Sequence, residues 1–334
     1  MWVKTLTSMI ILALLLGCQK SPSQDAGQRG AGTLQKITVS YTTQPQSTLT
    51  HVAVAKGYFV EEGLDVQSLI HTFGKASLQS LLDHKADFAA VAETPIMFNV
   101  LKGEKIFVIA NIEASGKNNA IVARKDAGIL VAGDLKGKRI GFTPGTTSDF
   151  FLDSILTVIG LTRQAIHPVP LKPEEMQAAI AEKKVDAVCT WNYQLTKIKR
   201  QLGPNGVLFY DPEIYTETFN FAAQQDFVRK NPETVKRFLR ALIKAENFVA
   251  QHPNEAQSIM SAATKTDLDL IREVWNAFNY RVILDNKLVI TLEDETRWAM
   301  KNNYTDQTAM PDYRKYIHLD SLRTIKPDAV SADW

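Results

Sequence analysis

Residues 139–160 read RIGFTPGTTSDFFLDSILTVIG, and the order of parts in this stretch decides the fold class. Residues 139–142 (RIGF) are a short strand pattern, and 143–148 are a loop of small and hydroxyl-bearing residues. Leu152, Ile155, Leu156 and Ile159 then recur at the three- and four-residue spacing of one helical face. Gly160 stands after the last apolar position, where a left-handed residue closes a helix. A strand, a short loop and a helix in this order predict parallel α/β structure.

The same rhythm runs outward on both sides. Upstream, residues 37–41 (ITVSY) form a strand pattern, and Ser47 is placed to cap a helix carrying Leu49, Val52 and Ala53. Strand patterns follow at 66–70, 88–92, 106–112 and 120–123. Between the first two of these, Gly74-Lys75 opens a helix with Leu78, Leu81 and Leu82 at helical spacing. In Glu93-Thr94-Pro95 a capping residue stands before a proline, the favoured first helical position. Downstream, Met176 and Ile180 mark a helix, and 185–190 and 207–210 are strands. The last third turns helical. Asn231-Pro232 opens a stripe of Val235, Phe238, Leu239 and Leu242, and Ile271, Val274, Trp275 and Phe278 form another. Thr291 with Asp294 fits a capping box for a helix holding Trp298. Two α/β series and a helical end predict two lobes, with the C-terminal helices returning to the first.

Lys4 and the apolar run 9–16 make an export signal too short to span a bilayer. The run ends in Leu15-Leu16-Gly17-Cys18, which resembles a bacterial lipobox. Residues 1–17 are thus expected to be a signal peptide, and Cys18 the lipidated residue. Residues 19–35 (QKSPSQDAGQRGAGTLQ) complete an 18–35 anchor segment as a flexible tether.

The whole chain has 334 residues and a formal net charge of +2. No basic stripe is interleaved with aromatics, so a nucleic-acid partner is not expected. With only two cysteines, Cys18 and Cys189, no structural disulfide is expected. The six histidines form no close pair, and no metal site is read from them. No Gly-x-Ser-x-Gly elbow exists, and residues 133–138 (GDLKGK) fail the phosphate-loop pattern in both spacing and context. Cys189 sits in an apolar strand, as a small buried hydrophobe. Neither catalysis nor a cofactor is called for.

Five ordered segments carry a family resemblance: 55–66 (AKGYFVEEGLDV), 78–88 (LQSLLDHKADF), 134–142 (DLKGKRIGF), 175–191 ending VDAVCTW, and 231–241 (NPETVKRFLRA). Together they resemble bacterial ABC-transporter solute-binding proteins for aliphatic sulfonates, taurine, nitrate and pyrimidine precursors. The resemblance implies a two-lobed type II periplasmic-binding-protein fold, closing by a hinge around a ligand in the interlobe cleft. It implies lobe I over 36–122 and 222–334, lobe II over 126–218, and hinge strands near 120–125 and 218–223.

Ligands of open α/β sheets sit beyond the strand ends, which singles out Thr43 and Gln44, the loop Gly145, Thr146, Thr147 and Ser148, and Trp191 with Asn192; the resemblance adds Thr94, which matches a position where relatives place a hydroxyl or small residue. The Gly145–Ser148 loop opens a helix and is expected to receive an oxyanion. Thr94 and one loop hydroxyl also suit plain helix capping, and Trp191 also suits a core position. Lys75 is read as a surface lysine or an anion contact, and Glu93, if it faces the cleft, as a preference for an amine or ring N–H. The expected function is a monomeric, lipid-anchored binding component that serves ABC permease and ATPase subunits. It would be periplasmic in a Gram-negative cell, or on the outer membrane face in a Gram-positive one. A sensory lipoprotein and an enzyme like those making the thiamin pyrimidine are the alternatives on this fold.

Overall fold

In the computed structural model, which describes residues 33–332, the strand–loop–helix order runs through two five-stranded sheets. The expected signal peptide, Cys18 and most of the tether lie outside the described residues. Among the described residues no helix is long and apolar enough to cross a membrane.

The first series is β1 (Gln35–Thr42), α1 (Thr48–Ala55), α2 (Tyr58–Glu61), β2 (Leu64–His71), α3 (Gly74–Leu82), β3 (Phe88–Ala92), α4 (Glu93–Leu101) and β4 (Ile106–Ser115). The second is β5 (Asn119–Arg124), β6 (Arg139–Phe142), α5 (Thr147–Val158), β7 (His167–Pro170), α6 (Met176–Ala181), β8 (Ala187–Trp191), α7 (Asn192–Leu202) and β9 (Gly206–Phe209). The chain then returns through β10 (Glu217–Gln224) into α8 (Gln225–Lys230), α9 (Pro232–Gln251), α10 (Pro253–Thr264), α11 (Leu268–Trp275), α12 (Asn286–Lys301) and α13 (Asp320–Ile325).

The strand orders are β2-β1-β3-β10-β4 and β7-β6-β8-β5-β9. Each sheet has four strands running one way and one inserted antiparallel strand: β10 pairs antiparallel with β3 and β4, and β5 with β8 and β9. That inserted strand is in each case the first one after a crossing. The crossings fall at 116–118 and 210–216, just before the segments implied as hinge strands, so β5 lies wholly in the second sheet and β10 in the first.

Helix α9 covers the first sheet with the expected stripe: Val235, Phe238, Leu239 and Leu242 are fully buried. Phe238 stacks on Phe88 at 4.1 Å between centroids and meets Phe221 edge-on at 4.8 Å. Such offset and edge contacts add to the area each ring buries. The second sheet packs Ile140, Leu152, Ile155 and Leu156 with Cys189. The Cys189 thiol donates to Ser148 O at 3.1 Å, and burial pushes it well above the ordinary thiol value.

Three local features depart from the sequence reading. Helix α4 opens at Glu93, with Ala92 in the capping place, so Thr94 is not the cap. The chain enters helix directly from the strand end, and Pro95 is tolerated because first-turn N–H groups have no intrahelical partner. Helix α12 begins at Asn286, capped by Asp285, whose carboxylate accepts from Lys287 N at 3.0 Å. Thr291 and Asp294 therefore lie inside that helix. The prolines of HPVP argue against a strand, yet residues 167–170 form β7. It is an edge strand, where missing N–H groups can face away from the ladder.

Candidate functional site

Two loops built alike face each other between the sheets. At the end of β1, Thr42 N–H donates to Ser47 Oγ at 3.1 Å; at the end of β6, Thr143 N–H donates to Ser148 Oγ at 3.0 Å. In each, a serine five residues on ties the helix start back to the strand end. Ser148 is thus committed within its own loop. So is Thr146, whose hydroxyl donates to Thr143 O at 2.7 Å, and the Gly145 N–H goes to Asp149 Oδ2 at 2.9 Å. Thr147 instead turns toward the crossing and donates to Asn119 Oδ1 at 3.0 Å.

Between the loops lies a cavity of about 30 Å³, whose lining includes Gln44, Gln46, Lys75, Thr146, Thr147, Trp191, Glu217 and Phe219. A cavity of about 330 Å³ adjoins it, sharing Lys75 and Pro95 and adding Pro144 and Gly145. Lys75 spans the two sheets, donating to Pro144 O at 2.9 Å. Gly145 has φ +66°, and a Cβ there would stand 2.9 Å from Lys75 Nζ. Gly145→Ala should therefore cost about 1 kcal/mol in backbone strain and push Lys75 off Pro144, read as a lower melting temperature. An unchanged melt would show that the loop relaxes freely.

Of the residues singled out in the sequence, Gln44, Thr146, Thr147 and Trp191 line the first cavity. Gly145 lines the adjoining one. Asn192 stands behind them, holding Gln46 Oε1 through its Nδ2 at 3.2 Å with an unusual φ of +37°. Non-glycine residues held there are costly and concentrate at functional sites. Thr43 extends the β1–β2 ladder by donating its N–H to His71 O. Thr94 is fully buried and donates to Glu295 of α12.

The sequence reading missed the centre of this arrangement. Glu217, at the start of β10 and 1% exposed, accepts from Gln46 Nε2 at 3.0 Å, Asn118 Nδ2 at 2.8 Å and Asn119 Nδ2 at 2.5 Å. These donors come from the β1 loop and from the crossing into the second sheet. One carboxylate thereby ties the two sheets together, and burial raises its pKa. A lone acid among aromatic, alanine and uncharged polar residues (YTETFNFAA, 215–223) was the available signal.

Glu93 is fully buried too and accepts from Tyr215 OH, Thr218 N and Thr218 Oγ1. Burial, then the nearby Glu217 charge, pushes its pKa up to about 8 from an ordinary 4.5. The folded chain holds this proton more tightly than the unfolded chain. Stability should therefore be full below about pH 4.5 and be lost as pH rises toward 8, by up to about 1.4 kcal/mol per unit. Denaturant midpoints at pH 5, 6.5 and 8 should show a shallower slope in Glu93→Gln; equal slopes would assign the effect elsewhere. Among the described residues no group of three or more His, Cys, Asp or Glu is arranged to hold a metal.

Behind the second loop, Arg163 pairs with Asp149 Oδ1 at 2.8 Å and Asp153 Oδ1 at 2.6 Å. Asp153 Oδ2 also accepts from Trp298 Nε1 of α12 at 2.8 Å. The same Asp149 takes the Gly145 N–H, so this network sets the loop that faces the cavity.

A putative binding protein of Brucella abortus is 27% identical over 227 residues, covering 66% of this chain and 69% of that one. A putative aliphatic sulfonates-binding protein of Bacillus subtilis is 25% identical over 271 residues, covering 79% of each. The crystal structure of the periplasmic aliphatic sulphonate binding protein SsuA from Escherichia coli superposes with a TM-score of 0.74 at 17% identity. It covers 85% of this chain and 92% of that one, which establishes a common type II periplasmic-binding-protein fold. The NMT1/THI5-like family model matches residues 44–256, from the cavity-lining Gln44 through β2 to β10 and into α10, and by that match the chain belongs to the NMT1/THI5-like family.

Proposed function

We propose that this chain is the solute-binding component of an ABC importer, closing around a small polar anion or zwitterion and passing it to permease and ATPase subunits. The observation that carries this reading is the cavity between two sheets whose facing loops meet across it through Gln46, Thr147, Trp191 and Glu217. Interlobe clefts are preferred small-molecule sites, and polar groups converging on one fix a ligand's orientation. The family membership and the names of the relatives favour the same class.

In this reading lobe I is the first sheet with the helices that follow β10, 35–115 and 217–332, and lobe II is the second sheet, 119–209; the implied bounds 36–122, 126–218 and 222–334 shift because β5 pairs in the second sheet and β10 in the first. Gln44, Thr146, Thr147 and Trp191 touch the solute, with Asn192 positioning Gln46. Thr43, Thr94, Gly145 and Ser148 shape the surrounding loops. Thr147→Ala should weaken solute binding about ten- to a hundredfold, the worth of one hydrogen bond to a charged group. Its unfolding free energy should also fall by about 1–3 kcal/mol, because Asn119 Oδ1 loses its buried donor. Calorimetry beside thermal melts checks this; unaltered affinity would leave Thr147 as a structural partner of Asn119.

A lipid on Cys18 holds the domain at the membrane, in the periplasm of a Gram-negative cell or on the outer face of a Gram-positive one. Labelled fatty acid should enter the wild type and not Cys18→Ala, whose precursor should stay unprocessed. Equal labelling of the two would remove the anchor from the account.

A further inference from the structure

Four carboxyls meet where the chain crosses between the sheets. Glu93 opens α4, Glu113 lies on β4, Glu217 opens β10 and Glu295 lies on α12, and each is at most 1% exposed. Strand pairing gathers them: Glu113 is opposite Phe219, two residues from Glu217, and Glu93 accepts from Thr218 between those two. Thr94, the residue after Glu93, donates to Glu295. Their hydrogen-bond donors are amides, hydroxyls and one backbone N–H, and among the described residues no lysine or arginine pairs with any of the four. Glu113 has a partner for neither of its oxygens, and Glu295 for one of its two.

Four carboxylates cannot all be charged in a low-dielectric site without a cation, so the cluster keeps protons that the same groups would give up in water. The titratable groups that face it leave that balance alone. Tyr215 and Tyr280 are phenols that burial keeps neutral. Lys75, on the cavity wall beside Glu217, is turned to Pro144 O at 2.9 Å, and Asp149 and Asp153 of α5 are paired with Arg163. Burial first, then the neighbouring acids, raises Glu113 and Glu295 well above the ordinary carboxyl range and Glu93 to about 8.

The cover over this cluster comes from both sheets. Tyr215 gives its OH to Glu93 while its ring packs in the core of the second sheet, 5.2 Å from Phe150 between centroids. Glu217 lines the cavity together with Thr147 and Trp191 of the second sheet, takes a donor from Asn119 of β5, and accepts from Gln46, which Asn192 of α7 holds. Parting the sheets draws off this cover and lets water reach the carboxyls.

We propose that the hinge is proton-linked: closing the sheets takes up a proton on the Glu93 and Glu217 carboxyls and opening them releases it, so that acid favours the closed arrangement and alkali the open one. This rests on the closing motion of the solute-binding reading and adds a coupling which that reading does not require. The titration belongs to the cluster, since the charge of one carboxyl opposes that of the next. Buried carboxyls hold protons more tightly than hydrated ones. The closed-to-open ratio is therefore constant below about pH 4.5 and falls from there to about pH 8, by up to about tenfold per pH unit for each linked proton.

The test is small-angle scattering of the solute-free mature chain at about pH 5, 7 and 9, with far-UV circular dichroism showing that it stays folded. The radius of gyration should rise from pH 5 to pH 9. Glu93→Gln, a neutral mimic of the protonated acid, should keep the pH 5 value throughout. Glu217→Gln should do the same, and takes its place if the first variant does not fold. A wild type with one radius at all three pH values would overturn the proton link, as would folded variants that expand like the wild type. Adding ethanesulfonate at pH 7 separates the two readings. Contraction with ethanesulfonate beside a flat pH series would leave solute-driven closure standing without its proton, and no response to either would count against both.

Discussion

Arg163→Met is expected to lower the unfolding free energy by about 3–5 kcal/mol, the usual result of removing one partner from a buried charge network. Asp149 and Asp153 are both nearly buried, and Arg163 bonds to each. Without the guanidinium, two carboxylates face each other in a low-dielectric site. Burial already holds the Asp149 pKa above the ordinary value even with Arg163 in place. The loss should be largest near neutral pH and smaller near pH 4, where the acids take up protons. Urea unfolding at both pH values measures it. A loss under about 1 kcal/mol at neutral pH would mean that solvent screens these charges as it does exposed pairs.

Glu217→Ala is the second large effect, and its sign is informative. Removing a buried carboxylate alone would relieve desolvation. Here it would also strand the amide donors of Gln46, Asn118 and Asn119, each buried. An unpartnered buried donor costs about 1–3 kcal/mol, so the donors outweigh the relief and the net loss should be on the order of 3 kcal/mol. Because those donors come from both sides of the cavity, solute affinity should fall with stability. A variant more stable than the wild type would show that the amides find water or one another, and that Glu217 does not tie the sheets.

How legible this was in the sequence depended on the range of the interaction. Strands 88–92 and 139–142 and the buried stripe of α9 follow from local periodicity, and the structure places them at those positions. The Gly145–Ser148 loop was legible as a helix entrance. Its actual bonding was not, because Asp149 and Ser148 take up the groups that looked available for an oxyanion. Gln44, Thr147 and Trp191 could be placed because strand ends meet at a cleft. Glu217 and Asn118 could not, since they meet only through the chain's crossings at 116–118 and 210–216. Register between distant strands is set by tertiary packing, and a single acid in a strand gives no sign of which donors will surround it.

In the proposed function the two sheets close on a small solute, with the short crossings as the hinge. Ligands that prefer the closed arrangement shift the population toward it. Small-angle scattering of the mature chain, recorded with and without a solute whose binding calorimetry has established, tests this most directly. A smaller radius of gyration is expected at saturation, and an intermediate value at half-saturation. Superimposable curves at full occupancy would contradict it, leaving a rigid domain that binds without closing.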